Sequence, residues 1–270
     1  MSEQSGREQK VYGRKACWAV FARRPHDIVR IYHAATVRRE VGPILKWAAA
    51  ARIPYRELDE EGLRRVSGAT HHEGLAMTVR PLEYLPWEVS GPVDDAVWVA
   101  LDGVGNPYNL GAILRSCAFF GVEAVLVSGV SAGERVNGAA IRAAEGGAEE
   151  VRLIAAEPLA PVLHELREPV PVIGLESDAA LALTAAPTAA PCVLVVGHER
   201  EGLSAAVREA CTAVCSIPGA GSVGSLNVSV AAGIALAELF RAPSPAPRPP
   251  PATQAMPAKR VVKPRRRRSR

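Results

Sequence analysis

Ser216-Ile217-Pro218-Gly219-Ala220-Gly221-Ser222-Val223-Gly224-Ser225-Leu226-Asn227-Val228-Ser229 is the stretch on which the reading of this chain turns. It leaves a short apolar run, crosses a glycine-rich turn and opens the last long apolar helix. Ser225-Leu226-Asn227 sets two small polar side chains and several free backbone amides at one helix N-terminus. A ligand or a developing negative charge can be held there without a metal. The segment also contains Gly219-x-Gly221-x-x-Gly224, the letters of the dinucleotide fingerprint. That fingerprint belongs to a first βαβ unit, with a second strand and an acid about 20 residues on. Here a final helix follows, with Glu238 inside it, which argues against a nicotinamide or flavin site.

Two further blocks precede it in the chain: Asn109-Leu110-Gly111-Ala112-Ile113-Leu114-Arg115-Ser116, then Gly197-His198-Glu199-Arg200-Glu201-Gly202-Leu203. Taken singly, each has an ordinary explanation. Asn109 reads as a helix cap, Arg115 as a solvated helix arginine, and Glu199 with Glu201 as acids suited to a helix dipole. A Glu199 held against Arg115 would mean more.

Around these blocks, apolar runs at 96–101, 124–127, 151–155, 170–175, 192–196 and 213–217 alternate with helical stretches near 111–120, 138–144, 159–166, 204–211 and 228–241. Short, β-branched, nearly unbroken runs separated by helices predict a parallel sheet covered on both faces. Ahead of them, residues 10–82 read as a separate small α/β unit. It carries helices at 14–23 and 37–51, a strand at 28–33 and a paired segment at 72–79. Residues 83–94 read as a linker, 95–242 as the main domain, and 1–9 and 243–270 as disordered, the latter Pro-rich and then Arg-rich.

The net charge of +4 is unevenly spread: +4 over residues 1–90, −9 over 91–242 and +9 over 243–270. Basic ends on an acidic body point to a polyanion partner. The five dispersed cysteines include no Cys-x-x-Cys pair, and reduced thiols in a cytoplasmic protein are expected. The six histidines show no zinc spacing, and His72-Glu73-Gly74 is not a metal-binding His-Glu-x-x-His. No run suggests a membrane span.

Together the three blocks resemble the motifs of the SpoU (TrmH-type) branch of the SPOUT RNA methyltransferases. Asn109, Gly111 and Arg115 match the first; Gly197, Glu199, Gly202 and Leu203 the second; Ile217, Pro218, Ser225, Leu226, Asn227 and Ser229 the third. Gly146-Gly147-Ala148 with Glu150 resembles a further family segment. Val11–Ala16 and His72–Ala76 are similar to the ends of the family's substrate-binding domain, with Glu73 in place of the usual Gln. His198 also departs from the more usual Asn or Ser.

The resemblance implies an α/β architecture: a trefoil-knotted parallel-sheet methyltransferase domain preceded by a small α/β RNA-binding domain. It further implies S-adenosylmethionine as methyl donor, a homodimer, no metal, and transfer to a ribose 2′-hydroxyl of rRNA or tRNA. On this basis Arg115 is the leading catalytic residue, as cation for phosphate and alkoxide. Asn109, Glu199, Ser225 and Asn227 accompany it, with Glu199 orienting Arg115 or accepting a proton through water. Gly197, Gly202, Ile217, Pro218 and Leu226 hold the donor, and Arg14, Lys15, His72 and Arg142 meet RNA. A non-catalytic RNA-binding or ribosome-assembly protein of the same fold is the alternative.

Overall fold

The computed structural model describes residues 8–88, 96–168, 170–186 and 190–241. Most of the expected disordered N-terminus, half of the linker and the basic tail lie outside these. The N-terminal unit runs β1 (Gln9–Tyr12), α1 (Arg14–Arg23), β2 (Ile28–His33), α2 (Gly42–Ala51), β3 (Tyr55–Glu57), α3 (Glu60–Ser67) and β4 (Leu75–Val79). Its sheet has the order β1-β4-β2-β3, antiparallel except for the β2–β3 pair. The helix expected from Val37 begins instead at Gly42, because Pro43 fits only a first turn, where its missing N–H leaves no bond unmade. β3 and α3 carry no run of apolar residues, and sequence reading passed over them.

The second unit runs β5 (Leu85–Pro86), β6 (Val97–Leu101), α4 (Pro107–Phe120), β7 (Ala124–Val127), α5 (Gly138–Ala143), β8 (Arg152–Ala155) and α6 (Leu159–Leu166). It continues through β9 (Val172–Leu175), β10 (Leu181–Ala182), β11 (Cys192–Val196), α7 (Ala205–Ala210), β12 (Ala213–Ser216) and α8 (Val228–Leu239). β5 falls within the expected linker. All pairings in its sheet are parallel, in the order β10-β12-β9-β11-β6-β7-β8-β5. The last strand, β12, is inserted between two strands formed earlier in the chain. That is the strand order of the knotted SPOUT domain, against the general rule that connections do not thread one another.

Strand periodicity divides the core. Val97, Val99, Leu101, Leu194 and Val196 face one side with residues of α4, α5 and α8, whereas Trp98, Ala100, Val193 and Val195 face the other with α6 and α7. Every residue of β6, β7 and β11 is buried. Covering both faces is what lets these strands be apolar throughout. Burying each large side chain contributes roughly 1.5–3 kcal/mol. Because all strands run the same way, the chain leaves β6, β9, β11 and β12 at one edge, where open parallel sheets bind ligands.

Candidate active site

Each of the three sequence blocks meets that edge. After β6 the chain turns into α4, capped by Asn106, whose side chain accepts the Tyr108 amide at 2.9 Å, with Pro107 in the first turn. The cap is therefore Asn106 rather than Asn109. Asn-Pro is itself a helix-start signal. Asn109, released from capping, lies in the first turn and donates its Nδ2 hydrogen to Glu199 Oε1 at 2.7 Å.

Asn227 does cap its helix: its Oδ1 accepts from the Ser229 amide at 2.9 Å. Its Nδ2 donates to Asn109 Oδ1 at 3.1 Å. One polar chain, Asn227 to Asn109 to Glu199, thus joins all three blocks. With Asn106, His198 and Arg200 they line a shallow cavity of about 460 Å³. A second cleft of about 640 Å³, walled by Glu8, Asp27, Arg80, Glu83 and Arg135, contains none of the block residues.

Gly197 makes the second block's turn possible. Residues 198–202 fold back as a tight bridge, His198 and Gly202 exchanging backbone hydrogen bonds at 2.9 and 3.0 Å. A Cβ at Gly197 would lie 2.3 Å from the Gly202 carbonyl. His198 Nδ1 accepts the Arg200 amide at 3.2 Å, so this departure from the family pattern holds the turn. Partial burial pushes the Glu199 carboxyl up, but hydrogen bonds from Asn109 and from the Glu199 and Asn106 amides outweigh it. The net result lies below the usual carboxylate range. Glu199 is therefore an anion that only accepts hydrogen bonds at neutral pH, which suits it to holding Asn109 rather than taking a proton.

The residues expected to hold the donor line the same edge. Ile217 is half-buried; Pro218 and Leu226 are exposed; Gly202 supplies a positive φ of 71° in the bridge turn. Side chains added at Gly219, Gly221 or Gly224 would meet nothing within 4 Å, so backbone in this loop lies open. Exposed Val223 and Leu226 present apolar surface beside it. A nucleoside with a charged sulfonium fits such a mixture of open amides and apolar contacts. Ser225 is exposed in the same loop and is not bonded to the Asn227–Asn109–Glu199 chain.

Other expectations need correction. Arg115 does not pair with Glu199: six residues along α4 from Asn109, it sits about 120° around the helix and pairs with Glu145 at 3.1 Å. His72 is buried, and its Nδ1 accepts the Gly74 amide at 3.1 Å, anchoring a turn. It is not an RNA contact. Its Nε2, 3.3 Å from a Glu60 oxygen, has no aligned partner. Arg14, Lys15 and Arg142 cluster where the two units meet, engaged by Glu40, Glu145 and Glu73 respectively. Glu73 also accepts the Arg14 amide, so the family's Gln is here an acid serving an inter-unit ion pair. Arg200 and Asn106 line the cavity and were missed; lying inside or beside a motif was their only signal.

No group of three His, Cys, Asp or Glu among the described residues could hold a metal, and no helix among them is long and apolar enough to cross a membrane. All five cysteines are free.

Residues 96–237 match the model of the SpoU rRNA methylase family, and residues 10–85 that of the RNA 2′-O ribose methyltransferase substrate-binding domain. The chain belongs to the SpoU family. Among SpoU relatives, it is 38% identical over 245 residues to the uncharacterized tRNA/rRNA methyltransferase YfiF of Escherichia coli O157:H7, spanning 89% of this chain and 70% of YfiF. It is 39% identical over 238 residues to the 23S rRNA (guanosine-2′-O-)-methyltransferase RlmB of Ralstonia nicotianae, covering 85% of this chain and 95% of RlmB. The AdoMet-bound rRNA methyltransferase of Sinorhizobium meliloti shares the SpoU fold, with a TM-score of 0.71 at 21% identity over 88% of each chain.

Proposed function

We propose that this chain transfers a methyl group from S-adenosylmethionine to a ribose 2′-hydroxyl of structured RNA, with ribosomal RNA as its substrate class. The observation that carries this reading is the Asn227–Asn109–Glu199 chain, which draws all three family motifs to the sheet edge where ligands bind. The near full-length likeness to RlmB supports an rRNA substrate. A sulfonium-borne methyl is already activated, so no metal is needed. The residues then have to align the ribose oxygen, hold the donor and stabilise a developing alkoxide.

Ile217 and Leu226 would flank the adenosyl group, with backbone of the 219–224 loop and Gly197–Gly202 turn bonding its polar atoms; Pro218 shapes the loop's exit. Asn109 and Asn227, each locked by a partner, present their remaining donors and acceptors to the ribose, and Ser225 lies two residues away for the same task. Arg115, always protonated, serves as the cation for phosphate or alkoxide. Arg14, Lys15 and Arg142 supply phosphate contacts from the junction between the units.

The active form is a homodimer. On α8, Val230 and Ile234 are exposed one turn apart, and Tyr108 and Phe119 are exposed on α4. A helix apolar all round needs cover on every side, and a second copy supplies it. Substitution of Arg115 by Ala is expected to abolish methyl transfer to rRNA while donor binding, measured by calorimetry, survives. Retained turnover would remove Arg115 from the mechanism.

A further inference from the structure

Glu145 stands where the N-terminal unit meets the helix that carries Arg115. It follows α5 with a positive φ of 48°, a left-handed setting uncommon for a residue with a Cβ. Two close approaches hold it there. A Cβ on Gly146 would fall 2.9 Å from Ala19 Cβ and 3.3 Å from the Lys15 carbonyl oxygen, and one on Gly147 would fall 2.9 Å from Arg115 Cα. The segment is thus pressed between α1 and α4. From that wedge a single carboxylate oxygen, Oε2, accepts from Lys15 Nζ at 2.6 Å and lies 3.1 Å from Arg115 Nη2. The Lys15 hydrogen bond, together with the Arg115 and Arg142 charges, outweighs desolvation and holds the carboxyl below its usual range.

Arg115 is 55% exposed, and a pair this open adds little to stability. What the arrangement supplies is orientation. A guanidinium has five donors in a rigid fork, and one anchored Nη leaves the others for RNA.

We propose that Glu145 is a positioning residue for Arg115, and that Lys15, sharing its carboxylate, ties that orientation to the substrate-binding unit. The inference rests on the reading that Arg115 acts in methyl transfer. Lys15 fixes the carboxylate from the N-terminal unit at 2.6 Å, so a shift of that unit or loss of the lysine loosens Glu145 and, with it, the orientation of Arg115.

The test uses the full chain, unmodified rRNA and S-adenosylmethionine. Glu145→Gln is expected to lower kcat about tenfold or more, with the KM for RNA and the donor dissociation constant within about twofold, as loss of orientation rather than binding requires. Lys15→Ala is expected to lower kcat in the wild-type background and to change nothing further in Glu145→Gln. Side-chain 15N spectra should show restricted Arg115 rotation that becomes free in Glu145→Gln. Wild-type kcat with an unchanged Arg115 spectrum overturns the proposal. So does a kcat loss matched by lost donor binding or a lowered Tm, which marks a purely structural role. A wild-type chain inactive on rRNA whose Arg115 signal still responds to Glu145→Gln would overturn the methyl-transfer reading instead, with the positioning contact intact.

Discussion

Gly197→Ala tests whether the second motif's turn is built to place Glu199. The new Cβ would stand 2.3 Å from the carbonyl carbon and oxygen of Gly202 and 2.5 Å from the Leu203 nitrogen. All three are backbone atoms on a bridged turn, so no side chain can swing aside. Reaching ordinary contact near 3.4 Å requires the turn to retreat by about 1 Å. Glu199 rides on that turn, bonded to Asn109 at 2.7 Å; a shift of that size along the bond takes it beyond hydrogen-bond reach. Overpacking of this kind costs about 1–3 kcal/mol, and a reacting group misplaced by 1 Å costs about a hundredfold in rate. Urea unfolding should therefore show a loss in that range. Single-turnover transfer of a labelled methyl group should slow about a hundredfold in the protein that remains folded. A Gly197→Ala chain with wild-type stability and turnover would refute the argument that this glycine is set by backbone approach at the site.

Asn109→Ala removes a bond that favours the ionised Glu199, so its pKa should rise towards the unfolded value, read by carboxyl NMR titration. A lowered native pKa contributes stability that is complete above the unfolded value and lost as pH falls through the native one; the variant should accordingly lose less stability on acidification than the wild type. Glu149 is 2% exposed and holds Arg24 across the two units in a bidentate pair at 2.7 and 2.9 Å. Glu149→Ala removes the bidentate partner of an arginine that keeps Asp27 at 3.5 Å and the Arg80 carbonyl at 2.6 Å, and should cost about 1–3 kcal/mol in denaturant unfolding. Val230→Arg with Ile234→Arg should yield a monomer by sedimentation with its fold intact by circular dichroism. Burial pushes the Cys117 thiol up to about 12 and the Cys192 thiol up to about 11, so both should resist alkylation at pH 8 until the chain is unfolded.

The parallel sheet was legible because its strands are buried on both faces and so are written as unbroken apolar runs; Cys192–Val196 was read to the residue. β3, by contrast, is exposed at every position, and α3 hides its few apolar residues among charges. Neither leaves a periodic trace. β10 and β5, two residues each, are strands only because a neighbour pairs with them. The site was legible as motif residues but not as the bonds between them. That Asn109 bonds Asn227 and Glu199 follows from three loops meeting at one edge, a property of strand order. That Arg115 turns to Glu145 follows from helix phase. The phase was available in the spacing of Asn109 and Arg115 once the helix start was placed at Asn106-Pro107.

The same phase gives the charge pattern a physical sense. The acidic body seemed at odds with binding a polyanion, yet its acids at the junction are spent on cations, Glu149 and Glu150 on Arg24 and Arg23 and Glu145 on Lys15 and Arg115, while Glu73 of the N-terminal unit takes Arg142. Phosphates approaching this surface meet guanidinium and ammonium groups already fixed in place by carboxylates, so less side-chain freedom is lost on binding than at a field of unpaired lysines. The corresponding cost is that each phosphate must compete with a glutamate. Affinity at the junction should therefore be modest, with long-range attraction left to the basic charge elsewhere in the chain. Two consequences separate this arrangement from a plain basic patch. Glu73→Gln, which restores the family's residue and frees Arg142, should tighten RNA binding. It should also steepen the dependence of that binding on salt, because one more cation is then available to displace counterions.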